Sequence, residues 1–239
     1  MLKKSWLFLL VGAFFGTGAY ASDLTRDTSD PLFLQERTGL LSRTSLDYFD
    51  TGLRMGQSLS YGLHDRFAFG AKVFYQQSFD SDQDGFSSVD LGGIYRMGMA
   101  DESSQRMIYD VLAGLKIGGS RRVRTPDYAD STYYAGLRFG RQYDAVTFAG
   151  TVKASWIFDD VPMGMSYIDF VPEVYFRVNN AWRIGGNAML RKSTNSKYDE
   201  ESIGIKLVRE YGRTQYVGHC DYAFEADNIS AGASVNILF

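Results

Sequence analysis

The amino-acid sequence predicts an all-β chain, and both its composition and the spacing of its apolar residues indicate this class. Aromatic residues are abundant, with 16 Tyr, 17 Phe and 3 Trp, and 25 Gly against only 4 Pro suit turns and close backbone contacts. The single Cys excludes an intramolecular disulfide, and one Cys with two His argues against a zinc site. The net charge of −3 gives no reason to expect nucleic acid as a partner. We therefore expect an ordered β protein without a metal or other cofactor.

The first segment has the layout of a secretory signal peptide. Two lysines precede an apolar run over residues 6–15, and the A-x-A pattern of a cleavage site follows at residues 19–21. The run is shorter than the roughly 20 residues that a spanning helix needs. We expect the secretion translocon to export the chain and residues 1–21 to be removed.

The rest of the chain alternates apolar and polar residues with a period of two, which predicts strands. The clearest example is the last segment, where every second residue from Ile229 to Phe239 is apolar. Eleven strands follow from this pattern, at about 53–61, 66–77, 86–97, 106–117, 132–142, 145–157, 165–178, 182–193, 200–210, 214–225 and 229–239. A twelfth is expected over 38–48, because bacterial single-chain barrels have even strand numbers. Ten strands with an irregular segment are the alternative.

Two features favour a transmembrane up-and-down barrel over a soluble sandwich. The polar face of the strands is rich in Gly and holds sparse charges of both signs, which suits a lumen. Short and long connections also alternate along most of the chain, as they do between the periplasmic and outer ends of such barrels. Aromatic residues cluster near one set of strand ends, as in an interfacial girdle. These are Tyr61, Phe67, Tyr95, Tyr109, Phe139, Phe148, Phe176, Trp182, Tyr211, Tyr216 and Phe239.

The predicted organisation therefore has three parts. Residues 1–21 form the signal peptide, and residues 38–239 form the barrel. Residues 22–37, which carry Pro31 and several charges, form a periplasmic N-terminal lead or a short insert into the lumen.

With its signal peptide, amphipathic strands and aromatic last residue, the chain resembles the outer-membrane β-barrel proteins of Gram-negative bacteria. In that family the barrel-assembly machinery reads an aromatic residue at the end of an alternating last strand. The resemblance gives this role to Phe239, Ile237 and Val235. In size and strand number the chain is also similar to twelve-stranded monomeric channels for acidic sugars and oligogalacturonates, without a matching stretch of sequence. The resemblance implies a monomer in the outer membrane, in contact with lipids and lipopolysaccharide.

Side-chain parity assigns more positive than negative charge to the inner wall. The predicted inward cations are Arg54, Lys72, Arg96, Lys116, Arg138, Lys153, Arg177, Arg183, Arg191 and Lys206. The predicted inward acids are Asp90, Asp110, Asp169, Glu173 and Asp221. A positive lumen raises the local concentration of small anions, so this wall predicts a passive channel with a mild anion preference.

The same charges have a structural interpretation, because a narrow barrel fills its lumen with paired side chains. Hairpin register predicts a cluster of Lys153, Asp169 and Arg191, and places Lys206 near His219. Arg177 and Arg183 face each other with like charge, which favours water or an anion between them.

The longest outer loop carries Arg121, Arg122 and Arg124. Folded inward, these residues would form an anion-selecting constriction, whereas pointing outward they would contact lipopolysaccharide phosphates. The outward arrangement is the simpler expectation.

Two other functions are weighed against a channel for small solutes. One is a non-conducting barrel with an adhesive or envelope-structural role. The other is a lipid-modifying or proteolytic enzyme that uses His219 with Asp221, for which the sequence identifies no serine partner. The sequence assigns no catalytic residue, and it names no solute.

Overall fold

A computed structural model of the protein describes residues 27–79, 84–102, 105–118, 131–158, 166–194 and 199–239. Twelve strands run through these residues. They are β1 (Leu40–Phe49), β2 (Gly52–His64), β3 (Phe67–Ser78), β4 (Asp84–Glu102), β5 (Gln105–Gly118), β6 (Thr132–Gln142), β7 (Val146–Ile157), β8 (Ser166–Arg177), β9 (Trp182–Ser193), β10 (Glu200–Tyr211), β11 (Thr214–Ala223) and β12 (Asn228–Leu238).

The strands form one closed antiparallel barrel in which each pairs with its neighbours in sequence and β1 pairs with β12. The prediction of an all-β up-and-down barrel with twelve strands is confirmed. The weakly patterned first strand is a full member, because all ten of its residues pair with β2 on one side and eight pair with β12 on the other. Closure leaves no strand edge unpaired, which is what a hydrocarbon environment requires.

Most strand ends lie within two residues of their predicted positions, and the hairpin between β4 and β5 is the largest difference. The sequence predicts a turn over 99–105, whereas β4 continues to Glu102 and β5 begins at Gln105. Tight turns at this end include the one at Gly212, whose φ of 61° suits a residue without a side chain. Both chain termini of the barrel lie at the same end, which is therefore the periplasmic end.

Large apolar side chains cover the outside of the barrel. Ile205 is 70% exposed and Ile168 is 55% exposed, and both belong to the belt that faces away from the lumen. Soluble proteins rarely expose an apolar surface that includes every strand of a sheet, so this belt requires contact with lipid. No helix in the described part of the chain is long and apolar enough to cross a membrane.

Aromatic side chains mark both ends of the apolar belt. At the periplasmic end, Tyr61, Tyr95, Phe139, Tyr211 and Phe239 are all exposed. At the other end, aromatic rings contact one another in pairs and small groups, namely Tyr48–Phe79, Tyr75–Phe86, Tyr133–Trp156, Tyr133–Phe158 and Tyr222–Phe224. Aromatic girdles at both ends of an apolar belt are typical of a barrel that spans a bilayer.

Candidate functional site in the barrel lumen

All ten predicted inward cations lie on the inner wall, on the face opposite the apolar belt. The predicted inward acids lie on the same wall. Three further charged residues that parity had not assigned to the lumen also point inward, and these are Arg43, Asp47 and Glu210. Their addition brings the wall closer to neutrality than the sequence predicts.

Residues 27–35, which we call the plug, lie inside the barrel at its periplasmic end. The plug begins with tight turns, in which the amide of Asp30 donates to the carbonyl of Asp27 and the amide of Phe33 to the carbonyl of Asp30. Leu32 is 1% exposed, so its side chain fills space between the barrel walls. Gln35 donates to the Ser60 hydroxyl on β2 at the opposite end of the segment.

Four cationic side chains from the wall donate to backbone carbonyls of the plug. Arg43 reaches Thr28 O at 3.2 Å, Lys206 reaches Ser29 O at 3.0 Å, and Arg96 reaches Leu32 O at 2.6 Å. Arg138 donates to Pro31 O and Phe33 O. Because these cations come from β1, β4, β6 and β10, the plug is tied to opposite sides of the barrel.

The buried carboxyl group of Asp30 belongs to the plug and lies against β7. Thr147 Oγ1 donates to Asp30 Oδ2 at 2.6 Å, and the Leu32 amide donates to Asp30 Oδ1 at 2.8 Å. Burial raises the pKa of Asp30 above its ordinary value of 3.8, although both hydrogen bonds act in the opposite direction. The seated plug therefore favours a protonated Asp30.

The first cluster of charged residues around the plug is centred on Arg183, which is 0% exposed. Its guanidinium pairs with Asp27 of the plug at 3.0 Å and with Glu210 of β10 at 2.8 Å. Tyr175 and Gln215 also donate to Asp27, at 2.9 Å each. The barrel alone would leave Arg183 with one carboxylate, and the plug supplies the second.

The like-charged pair that the sequence predicts, Arg177 and Arg183, lies in this cluster. Arg177 and Arg183 are partners in the β8–β9 register, as predicted. The expected water or anion between them is not needed for Arg183, because two carboxylates neutralise its charge. Among the described residues, Nη2 of Arg177 is buried without a hydrogen-bond partner. The charge repulsion that would favour a wet interior is thus reduced on the Arg183 side of the pair, and the expectation stays a prediction for Arg177.

The second cluster of charged residues around the plug is centred on Asp110, which is 0% exposed. Arg96 Nε lies 2.8 Å from Asp110 Oδ1, and Arg138 Nε donates to Asp110 Oδ2 at 2.8 Å. One buried carboxylate thus fixes two guanidinium groups, and both of them hold plug carbonyls. We refer to the plug, this cluster and the Arg183 cluster as the periplasmic half of the lumen.

The other half holds the predicted cluster around Asp169. Lys153 Nζ lies 3.1 Å from Asp169 Oδ2, and Arg191 Nε lies 2.7 Å from Asp169 Oδ1. Glu200 adds a longer contact to Arg191 at 3.4 Å. The Lys153 side chain is 33% exposed, so this cluster meets solvent in the lumen.

A glycine pair makes room for a large side chain on the same wall. Tyr134 points inward from β6 and donates to Asp90 at 3.0 Å. Its hydroxyl occupies the space that a Cβ on Gly92 or Gly114 would need. These strand glycines therefore accommodate a neighbouring side chain.

A cavity of about 360 Å³ lies above the plug, and it extends toward the outer face. The plug contributes Ser29 to its floor, and strands β1–β3 and β8–β12 form its wall. Four cations and three carboxylates line it, together with His219. These charged residues are Arg43, Arg54, Lys72, Lys206, Asp47, Glu173 and Asp221. We refer to this cavity and the Asp169 cluster as the outer half of the lumen.

His219 lies in this cavity among carboxylates. Its Nε2 is 3.2 Å from Asp47 Oδ1 and 4.0 Å from Asp221 Oδ2, and Arg54 pairs with the other oxygen of Asp47 at 3.1 Å. Lys206 is its register partner on β10, as predicted. Within the described residues no serine hydroxyl is hydrogen-bonded to His219, and no group of His, Cys, Asp and Glu could hold a metal ion.

Some predicted features lie outside the described residues. These are the signal peptide at 1–21 and the loop arginines Arg121, Arg122 and Arg124.

Solved structures share this architecture at low sequence identity. The KdgM porin superposes with a TM-score of 0.63 at 11% identity, over 82% of this chain and 98% of that chain. The COG4313 outer membrane channel from Pseudomonas putida F1 gives 0.60 at 10% identity, over 89% and 99%. The NanC porin gives 0.57 at 9% identity, over 83% and 98%. This chain has the fold of an outer-membrane porin.

The fold and the apolar belt together place this porin-like barrel in the outer membrane. At these identities the likeness extends to the fold alone. One of the structures is the KdgM porin in complex with disordered oligogalacturonate. No protein-family model and no curated protein matches the chain.

Proposed function

We propose that the protein is an outer-membrane channel for passive diffusion of small solutes, with a mild preference for anions. The observation that carries the proposal is the cavity of about 360 Å³ in the lumen above the plug, which is lined by four cations. Polar side chains such as Asn187 and Asn236 complete its wall. One chain encloses the whole cavity, so a monomer suffices for this function.

The anion preference follows from charges that have no carboxylate partner. Two of the three cavity carboxylates have a cation within 3.5 Å, since Asp47 contacts Arg54 and Glu173 contacts Lys206. Within the described residues no carboxylate lies within 4.0 Å of the charged groups of Arg43 or Lys72. Asp90, the register partner of Lys72, offsets part of this charge, and the remaining charge near Arg43 is positive. A confined positive site concentrates small anions.

The proposal is tested by planar-bilayer recordings of the refolded protein in a salt gradient. We expect stable conductance steps and a reversal potential of anion-selective sign. A variant that lacks residues 22–35 should conduct severalfold more, because it opens the periplasmic end. Heat-modifiable electrophoretic mobility verifies that both barrels are folded.

A non-conducting envelope-structural or adhesive barrel is the second candidate, and the plug favours it. Four cations tie the plug across the lumen, and buried ion pairs fill the space around it. Silence from the folded wild-type barrel and from the variant without residues 22–35 would refute the channel and support this candidate. Conductance only in the shortened variant would identify a closed channel.

Two further roles are proposals about biogenesis and surroundings. The barrel-assembly machinery would read Val235, Ile237 and Phe239, and Phe239 is 62% exposed beside the β1–β12 seam, where its amide donates to Leu40 O. Arg121, Arg122 and Arg124 would contact lipopolysaccharide phosphates. Shortening the chain by Phe239 should lower the yield of folded barrel in cells but not in refolding from urea.

A further inference from the structure

The wall cations that hold the plug fall into two classes. Arg96 and Arg138 are both anchored on the buried carboxylate of Asp110, and neither lines the cavity. Arg43 and Lys206 line the cavity and reach down to the plug carbonyls of Thr28 and Ser29. Only the second pair is therefore accessible to a solute in the cavity.

The second pair is also weakly neutralised. Arg43 Nε also donates to the neutral amide oxygen of Asn236, at 2.9 Å. Among the described carboxylates Lys206 contacts Glu173, at 3.5 Å, and its Nζ also lies 5.0 Å from the centroid of the Tyr175 ring. A carboxylate, unlike a neutral carbonyl, neutralises the charge of a guanidinium or ammonium group and can accept two parallel hydrogen bonds from a guanidinium. A soluble carboxylate would therefore compete successfully with the plug carbonyls for both side chains.

Lys72 extends this group along the cavity wall. Arg43 on β1, Ser58 on β2 and Lys72 on β3 are register partners, so their inward side chains form a continuous row across three strands. The Lys72 side chain is exposed to the lumen. Its register partner Asp90 attracts it, whereas the positive charges of Arg43 and Lys153 repel it. An anion between Arg43 and Lys72 would relieve their repulsion, and the Ser58 hydroxyl is placed to donate to it.

We propose that Arg43, Lys72 and Lys206 form a binding site for a small carboxylate solute, and that occupation of this site releases the plug. The carboxylate takes the donors of Arg43 and Lys206 that otherwise hold Thr28 O and Ser29 O. The Asp110 cluster keeps its own contacts, so the plug loosens first at residues 28 and 29. The inference rests on the proposed function, because it makes the cavity the solute's route to the periplasmic end.

Linkage requires that the coupling act in both directions. If a carboxylate loosens the plug, removal of the plug must strengthen carboxylate binding. In calorimetric titrations with succinate, the variant without residues 22–35 should bind severalfold more tightly than the full chain. Equal affinity in the two proteins would overturn the coupling.

The seating of the plug is measured through thiol protection. Cys220 is the chain's single cysteine and is exposed, so the background is Cys220→Ser. The reporter is the Leu32→Cys variant, whose thiol replaces a side chain that is 1% exposed. We expect succinate to raise the rate of labelling by a membrane-impermeant maleimide severalfold, and succinamide at matched ionic strength to leave it unchanged. Leu34→Cys repeats the measurement at a second buried position.

Lys72→Gln separates binding from plug contact, because Lys72 makes no described contact with the plug. This variant should keep the basal labelling rate and lose the response to succinate. Lys192→Gln is the matched control, since Lys192 pairs with Asp199 outside the lumen, and it should respond like the wild type. Unchanged labelling of the wild type with succinate, or a full response in Lys72→Gln, would overturn the proposal.

The outcomes are distinguishable from those of the channel test. Succinate-dependent labelling in a barrel that never conducts would refute the channel and keep the carboxylate site. Conductance with no effect of succinate on labelling would keep the channel and refute the site.

Discussion

The two halves of the lumen are built from the same strands and the same kinds of side chain, yet they differ in burial. In the periplasmic half Arg183 and Asp110 are both 0% exposed, and each makes two ion pairs. In the outer half Asp169 and Asp47 are buried beside their cations, but the Lys153 side chain is 33% exposed and that of Asp221 is 36% exposed. The difference comes from the plug, which covers one half and forms only the floor of the other.

This contrast shows that an inward charge has no fixed role in a barrel of this size. A twelve-stranded lumen lies between the filled interior of eight-stranded barrels and the open channel of sixteen-stranded ones. A short inserted segment is therefore enough to convert half of it into a packed interior. Where the segment covers the wall, charges must be paired, whereas elsewhere water can solvate them.

The largest expected effect is the loss of the buried carboxylate at Asp110. Asp110→Asn leaves Arg96 and Arg138 with uncompensated charge, and breaking a buried pair costs about 3–5 kcal/mol. Asp221→Asn in the outer half removes a half-exposed carboxylate and should cost less than about 1 kcal/mol. Urea unfolding of the refolded barrels measures both free energies. Equal losses would show that the two halves do not differ in solvation.

The second effect concerns the packing of the plug. Leu32→Ala removes a fully buried side chain, and such substitutions cost about 2–5 kcal/mol. We expect this loss to appear as a less occupied plug, and hence as faster proteolysis of the N-terminal segment and more frequent channel openings. Leu46→Ala on the lipid-facing side, where Leu46 is 49% exposed, is the control and should change neither.

A smaller effect is expected for charge reversal in the outer half. Lys72→Glu replaces a solvated cation of the cavity, so the reversal potential should shift toward cation selectivity while the barrel stays folded. Lys192→Glu makes the same change outside the lumen, where Lys192 pairs with Asp199, and should shift it less. An equal shift in both variants would place the selectivity outside the cavity.

The smallest effect is a pH dependence of plug seating. Because burial raises the pKa of Asp30, the folded state binds the proton more tightly than the unfolded chain does. This contribution is fully present below the ordinary pKa of 3.8 and is lost as the pH rises through the raised value. Protection of the plug from proteolysis should thus weaken over that range, and Asp30→Asn should remove this slope. A slope unchanged in Asp30→Asn would assign the dependence to another group.

The barrel was predictable because its signals are local. A period of two shows which residues share a face, and tight turns fix which strands pair. The register then brought Lys153 and Arg191 to Asp169 as expected, since hairpin partners follow from counting along the chain. The same counting applied to the first strand would have identified Arg43 and Asp47 as inward, but its polar outward residues Ser42 and Thr44 obscured the pattern.

The plug was not predictable in the same way. Residues 27–35 have no periodicity, and the contacts that hold them join positions far apart in sequence, as Asp27 and Arg183 do. Glu210 lies at a strand end, where parity does not show whether a side chain reaches the lumen or the interface. Counting residues along hairpins therefore could not predict that Asp27 and Glu210 neutralise Arg183.

The sequence by itself determined the strands, their pairing and the faces they present, because each depends on neighbours along the chain or across one turn. It also predicts an export signal. Only the tertiary structure decided which inward charges are buried and which line a cavity. That outcome depends on where an irregular segment settles inside the closed barrel, and many weak contacts from opposite walls fix its position together.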